Sequence, residues 1–307
     1  MQSQTEIRQT ITDKIIESLK AGRIPWRKPW TGIDGPRTPT NFVTKRRYSG
    51  INIPILWAAS QERGYDVDFF GTFNQWKSIG ASIKKGARAI HVVLFKPIKK
   101  VVKQDDGTER TEQFPILRVF PVFSIHEAKG EAVEAFLNRP AGAPLIHEKR
   151  EEFERVVAAT NADIRFKGSR AVYYRPPADY IEMPPENAFE GFPAYSETLA
   201  HELAHWSETR LNWSGSYAEG ELRAEMSAVF TTAALGIPDP NGLTLSNHAA
   251  YIGSWLEALQ NDPKYIFRAA AAASKATDFL LSFSRPQEEP SVGDEADAVI
   301  EAEAVPA

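Results

Sequence analysis

The chain has 307 residues, 42% hydrophobic and 25% charged, an ordinary globular composition with length enough for two cores of typical size. It contains no cysteine, which excludes a disulfide framework and a thiolate metal site and leaves histidines and carboxylates as the available ligands. The net charge of −4 hides an asymmetry: residues 1–125 carry 21 basic against 11 acidic residues, a net +10, and the remainder carries −14. A basic half beside an acidic half points to a polyanion as the partner of the first. The opening MQSQTEIRQT lacks a basic segment leading into an apolar run, and nowhere do about 18 apolar residues follow one another. A soluble, cytoplasmic protein with no membrane partner is therefore expected.

Ile7, Ile11, Ile15 and Leu19 recur at four-residue steps before Gly22, which predicts an opening amphipathic helix. The prolines and glycines of RIPWRKPWTGIDGPRTPTNF forbid a continuous helix or a central strand there, so a long loop is expected. Short helices should begin after Asn52, with Pro54 near the first position, and near Thr72. ARAIHVVLFKPIKKVVK and RTEQFPILRVFPVFS, joined by QDDGTE, predict a β-hairpin. Residues 126–148, rich in Ala, Gly and Pro, have the character of a linker. Beyond it KREEFERVVAATN predicts a helix, ADIRFKGSRAVYYRPPADYIEMP short strands, and PAYSETLAHELAHWSETR another helix. Three further helices are expected over 221–235, 249–260 and 266–283. The expected fold class is α+β in two domains: a small α+β nucleic-acid-binding unit over 1–125 and, over 149–285, a mainly helical unit with a short antiparallel sheet. Residues 286–307, with seven acids and no base, have the composition of a disordered tail.

Inside ETLAHELAHWSETR, His201, Glu202 and His205 spell H-E-x-x-H. On a helix, positions 201 and 205 lie one turn apart, so both imidazoles project toward a common point. Glu202, about 100° round, reaches a water on the ion rather than the ion itself and is placed to act as general base. Leu199, Leu203 and Trp206 on the opposite face offer an anchor in a core. Two histidines and a carboxylate leave zinc a fourth position for water, whose pKa falls from about 15.7 to roughly 7. AEGELRAEMSAVF supplies Glu221 and Glu225, four residues apart on one helical face, as candidate third ligand and as the group that accepts the free N–H of a ligating histidine. This pattern resembles the gluzincin metallopeptidases. The resemblance implies a zincin-like domain in which His201, His205 and Glu221 bind the metal, Glu202 is the catalytic base and Glu225 supports from behind; in the alternative register Glu225 is itself the ligand. Zinc is the first expectation for the ion and manganese the alternative. The extended DYIEMP segment looks like the edge strand with which zincins hold a peptide. His248 and Tyr251 are further candidates as donors to an oxyanion.

In the first half, Trp26 and Trp30 bracket Arg27 and Lys28, and Lys45, Arg46 and Arg47 precede Tyr48; Lys84 and Lys85 follow later. Interleaved cations and aromatics suit single-stranded nucleic acid, which offers phosphates to neutralise and unstacked bases to cover. No helix-turn-helix, zinc-finger or RNP pattern occurs, so non-specific binding is expected, even for residues 1–125 alone. In their order along the chain, PWRKPW, TKRRYSGINIPILW, TFNQWKSIGASIKKGARAI and HELAHWSE resemble the ArdC-type antirestriction proteins of conjugative plasmids. That resemblance implies single-stranded-DNA binding, protection of entering plasmid DNA during conjugation, and a metallopeptidase domain that acts on DNA-associated proteins. The alternative is a non-enzymatic shield whose metal site is structural or vestigial. One departure is Gly220, where such proteins tend to carry a second glutamate before Glu221.

Overall fold

A computed structural model describes residues 3–27, 37–103, 109–139, 146–167, 173–175, 178–238 and 249–284. The expected acidic tail, Lys28, Trp30 and His248 lie outside the described residues.

The first helix, α1 (Gln4–Lys20), starts at a capping box between Ser3 and Glu6 and buries Thr12, Ile15, Ile16 and Leu19. There follow β1 (Thr40–Asn41), α2 (Asn52–Arg63), β2 (Phe69–Gly71), α3 (Phe73–Ser78), β3 (Ser82–Ile83), β4 (Ile90–Lys103), β5 (Glu109–Ser124), β6 (Ala128–Lys129) and α4 (Glu131–Leu137). A second capping box, Thr72 with Gln75, starts α3. Gly64 ends α2 at φ 66°, the left-handed conformation that glycine adopts without strain. The hairpin is as expected: β4 and β5 pair antiparallel from Ile90↔Val122 to Lys103↔Glu109. They form one side of a four-stranded sheet of order β1-β2-β5-β4.

The second half contains α5 (Ile146–Thr160), β7 (Asp163–Phe166), β8 (Tyr173–Arg175), β9 (Tyr180–Met183), α6 (Phe192–Arg210), α7 (Tyr217–Ala234), α8 (Ala249–Asn261) and α9 (Tyr265–Ser282). Its sheet has the order β7-β9-β8, with β7 parallel and β8 antiparallel to β9. The sheet is thus mixed where an antiparallel one was expected, and the DYIEM segment is its central strand. Ile181 and Met183 explain the placement: both are fully buried against Phe153 and Leu199, which a central strand permits and an exposed edge does not. The edges belong to β7 and β8.

Part of the expected linker is ordered structure. Residues 128–137, placed in the linker, form β6 and α4; β6 pairs with β3, and Val133 packs with Phe42, Phe69 and Trp76. Composition misled here because a short amphipathic helix needs few apolar residues. The two halves, moreover, share their largest core. Ile15, Leu19, Trp26 and Trp57 from the first half pack with Leu222, Phe230, Trp255 and Ile266 from the second. Trp26 meets Trp255 edge-on at 5.7 Å, and Trp57 meets Phe230 at 5.8 Å. Each such side chain contributes about 1.5–3 kcal/mol by leaving water. Residues 1–125 alone would lose these partners.

Candidate metal centre

Helix α6 opens after Gly191, with a proline in its first turn. Leu199, Leu203 and Trp206 are buried against Ile181, Phe153 and Leu280, which fixes the rotation of the helix and turns His201 and His205 toward the opposite side. After the turn at Asn212 (φ 50°) the chain reverses into α7, started by a capping box between Ser216 and Glu219. This reversal brings Glu221 across from the histidines. His201 Nε2 and His205 Nε2 lie 3.2 Å apart; Glu221 Oε2 is 3.7 Å from the first and Glu221 Oε1 3.6 Å from the second. A tetrahedral ion with bonds of about 2.0–2.2 Å holds its ligand atoms roughly 3.3–3.6 Å apart. The imidazole pair, and each imidazole with the Glu221 oxygen nearest to it, therefore stand close to these lengths, and among the described residues the three side chains form a group able to hold a metal ion. The chemistry of the donor set, two imidazoles and one carboxylate, suits a divalent ion of the zinc or manganese kind.

Electrostatics agree. Burial pushes Glu221 upward, but the His201 imidazole 3.7 Å away and the charges of both imidazoles hold its carboxyl below the ordinary glutamate value. Burial lowers His201, yet Glu221, Glu202 and Glu225 together raise it. Glu202 is only 6% exposed, and that burial lifts its pKa against the opposing influence of the two imidazoles and of a hydrogen bond from the Tyr174 backbone N–H. Tyr174 lies on β8, so the sheet edge that reaches the site is YYR rather than DYIEM.

The sequence missed three supporting groups. Glu208 Oε1 sits 2.9 Å from His205 Nδ1, which fixes the ring and leaves Nε2 for the ion; its signal was the three-residue spacing from His205. Behind it Arg223, 1% exposed, donates to Ala204 O at 2.8 Å and Ser207 Oγ at 2.6 Å and stands 3.6 Å from Glu208. Burial pulls the Arg223 guanidinium down to about 10, against the pull of Glu208, so it remains charged at neutral pH. Tyr217, one turn before Glu221 and 74% exposed, hydrogen-bonds the Glu221 carboxylate at the mouth of the site.

Glu225, expected to support a ligating histidine from behind, accepts from Arg27 Nε at 2.8 Å and its charge acts on His201, while Glu208 is the carboxylate on the His205 Nδ1.

The residues expected to meet DNA divide. Trp26 is fully buried and Arg27 is 6% exposed, paired with Glu225 and Glu197; both are interior groups, because the shared core and two acidic side chains claim them. Tyr48 is half-buried edge-on against Phe70, and burial pushes its phenol up to about 12. Lys45, Arg46, Arg47, Lys84 and Lys85 are exposed. Lys45 Nζ lies 4.1 Å over the Phe42 ring, and Lys84 Nζ donates to His126 O at 2.9 Å. Among the exposed aromatics that were overlooked is Phe73, 54% exposed at the start of α3, one turn before exposed Lys77.

Among the described residues no helix is long and apolar enough to cross a membrane. An H-E-x-x-H helix, a following helix that carries the acid, and an adjoining short sheet define a zincin-like unit, and residues 151–272 match the family model described as zincin-like metallopeptidase, a divalent-metal class. Residues 5–123 match the N-terminal domain of anti-restriction factor ArdC. The crystal structure of the antirestriction protein ArdC from plasmid R388, metal-free, aligns with a TM-score of 0.72 at 35% identity over 91% of this chain and 98% of that one. Its Mn(II)-bound form aligns at 0.70 and 33% identity over 92% and 99%. The uncharacterized protein y4eC of Sinorhizobium fredii is 33% identical over 91% of this chain and 92% of its own. Two DNA primases TraC of Escherichia coli are 34% and 32% identical over 91% and 94% of this chain, which spans only 27% and 20% of their length. The chain belongs to the ArdC antirestriction family.

Proposed function

We propose that this protein binds single-stranded DNA without sequence preference through its first half and, with a divalent ion held by His201, His205 and Glu221, cleaves proteins associated with that DNA. On this reading it acts in the cytoplasm to protect entering plasmid DNA during conjugation. The observation that carries the catalytic part is the convergence of two imidazole nitrogens 3.2 Å apart with the Glu221 carboxylate, one oxygen of which lies 3.7 Å from His201 and the other 3.6 Å from His205, beside a buried carboxylate whose proton affinity is raised. A bound divalent ion supplies Lewis acidity, polarising a carbonyl and acidifying water. Glu202 then holds a proton at its carboxylate and hands it to the departing amine. The outer edge of β8 offers backbone groups to an extended peptide. Support for the DNA part comes from the net +10 of residues 1–125, from the exposed cations Lys45, Arg46, Arg47, Lys84 and Lys85, and from Phe73 as a stacking platform.

The test incubates the protein with zinc or manganese, single-stranded DNA and a DNA-bound protein. Cleavage by the wild type that Glu202→Gln abolishes supports the peptidase; equal cleavage by both removes it. Antirestriction that survives in Glu202→Gln would instead favour the shield, in which DNA binding alone protects.

A further inference from the structure

Glu221 and Glu225 stand one turn apart on α7, and their spacing from the histidine helix allows either to serve as third ligand. A side chain from the far end of the chain distinguishes them. Arg27, 198 residues away in sequence, donates from Nε to Glu225 Oε1 at 2.8 Å and pairs through Nη2 with Glu197. Glu197 lies one turn before His201 on α6, and Glu225 one turn after Glu221 on α7. The guanidinium thus ties the two helices together immediately behind the ligands. Its fork suits this task, since two donors in one plane hold two carboxylates at once.

We propose that Arg27 selects the metal ligand: by holding Glu225, it leaves Glu221 as the carboxylate that faces the two imidazoles. The inference rests on the metal-binding reading above. Arg27 does not sit on a pliable surface. Trp26 beside it is locked against Trp255, and the Gln61 amide donates to its backbone carbonyl. The Glu225 side chain is 5% exposed, and a carboxylate so buried that loses this cation turns to another positive centre. The site itself lies within reach, because Glu225 stands one turn along α7 from Glu221. Arg27 is a positioning residue, and through it the first half of the chain sets coordination in the second.

Cobalt(II) tests this, since its visible bands are intense in four-coordinate sites and weaken when a ligand is added. Metal-free full-length protein is loaded with cobalt(II) as wild type, Glu225→Gln, Arg27→Gln and the double variant Arg27→Gln/Glu225→Gln, with circular dichroism as the check on folding. Wild type, Glu225→Gln and the double variant should share one spectrum, while Arg27→Gln shifts and loses intensity. A folded Arg27→Gln with the wild-type spectrum, or a shift that Glu225→Gln does not reverse, overturns the proposal. Should Arg27→Gln not fold, Arg27→Lys, which keeps the charge but lacks the fork, takes its place against Arg27→Lys/Glu225→Gln, with the same two outcomes. A wild type that takes up no cobalt(II) would overturn the metal site itself, and this inference with it.

Discussion

Replacing Glu208 with alanine removes the acceptor 2.9 Å from His205 Nδ1 while leaving all three proposed ligands in place. The two side chains are 17% and 23% exposed, so solvent screens their interaction only in part. A hydrogen bond to a charged group contributes about 1.5–3 kcal/mol, and loss of a group that orients a ligating histidine typically lowers metal affinity about 10–100-fold. The two figures agree, since each factor of ten corresponds to about 1.4 kcal/mol. Arg223 keeps its bonds to Ala204 O and Ser207 Oγ, so the helix pair should hold and the loss should appear in metal binding rather than in folding. Calorimetric titration of metal-free protein with Mn(II) or Zn(II), beside a thermal melt of the metal-free form, separates the two. A Glu208→Ala protein with a dissociation constant within about twofold of wild type would refute the reasoning.

Metal affinity should also depend on pH in a definite direction. Ligation needs a neutral imidazole, and His201 is raised above its usual 6.5, so the proton competes with the ion at every pH below that raised value. The apparent affinity should fall about tenfold per pH unit on the acid side and level off on the alkaline side; a titration flat down to pH 6.5 would contradict it. For DNA, Lys84→Ala with Lys85→Ala should flatten the salt dependence of single-strand binding by a slope of roughly 1.4, whereas Phe73→Ala should lower affinity at every salt concentration by about 1–3 kcal/mol. An unchanged slope, or a salt-dependent loss for Phe73→Ala, would count against these assignments. Gly220 lies within α7, and a Cβ there would meet Glu208 Oε1 and the Trp213 ring at 3.5 Å, ordinary contact. Gly220→Ala should therefore stabilise the protein by about 0.5–1 kcal/mol through helix propensity, read as a rise in Tm; a fall would show that the contact is tighter than it looks.

Elements whose signal is periodic were legible in the sequence. The four-residue isoleucine steps of α1, the β4–β5 hairpin and the H-E-x-x-H turn of α6 depend on neighbours within a few residues, and each was found where expected. What could not be read was the destination of groups whose partners are distant. Trp26 and Arg27 share the composition of a DNA-binding loop, and only the fold shows that Trp255 and Glu225 have claimed them. DYIEM likewise has the same local pattern as an edge strand; the strands on either side decide that it is central. Glu208 was visible at three-residue spacing from His205, but its bond to Nδ1 depends on the rotamers of both side chains, which spacing does not give.

Because tryptophans from one end of the chain seal the packing of helices from the other, a nick in the stretch after Asn138 and before Ile146 should not release two proteins. The pieces would stay bound as a non-covalent complex, and two separately expressed segments should reconstitute the whole when mixed.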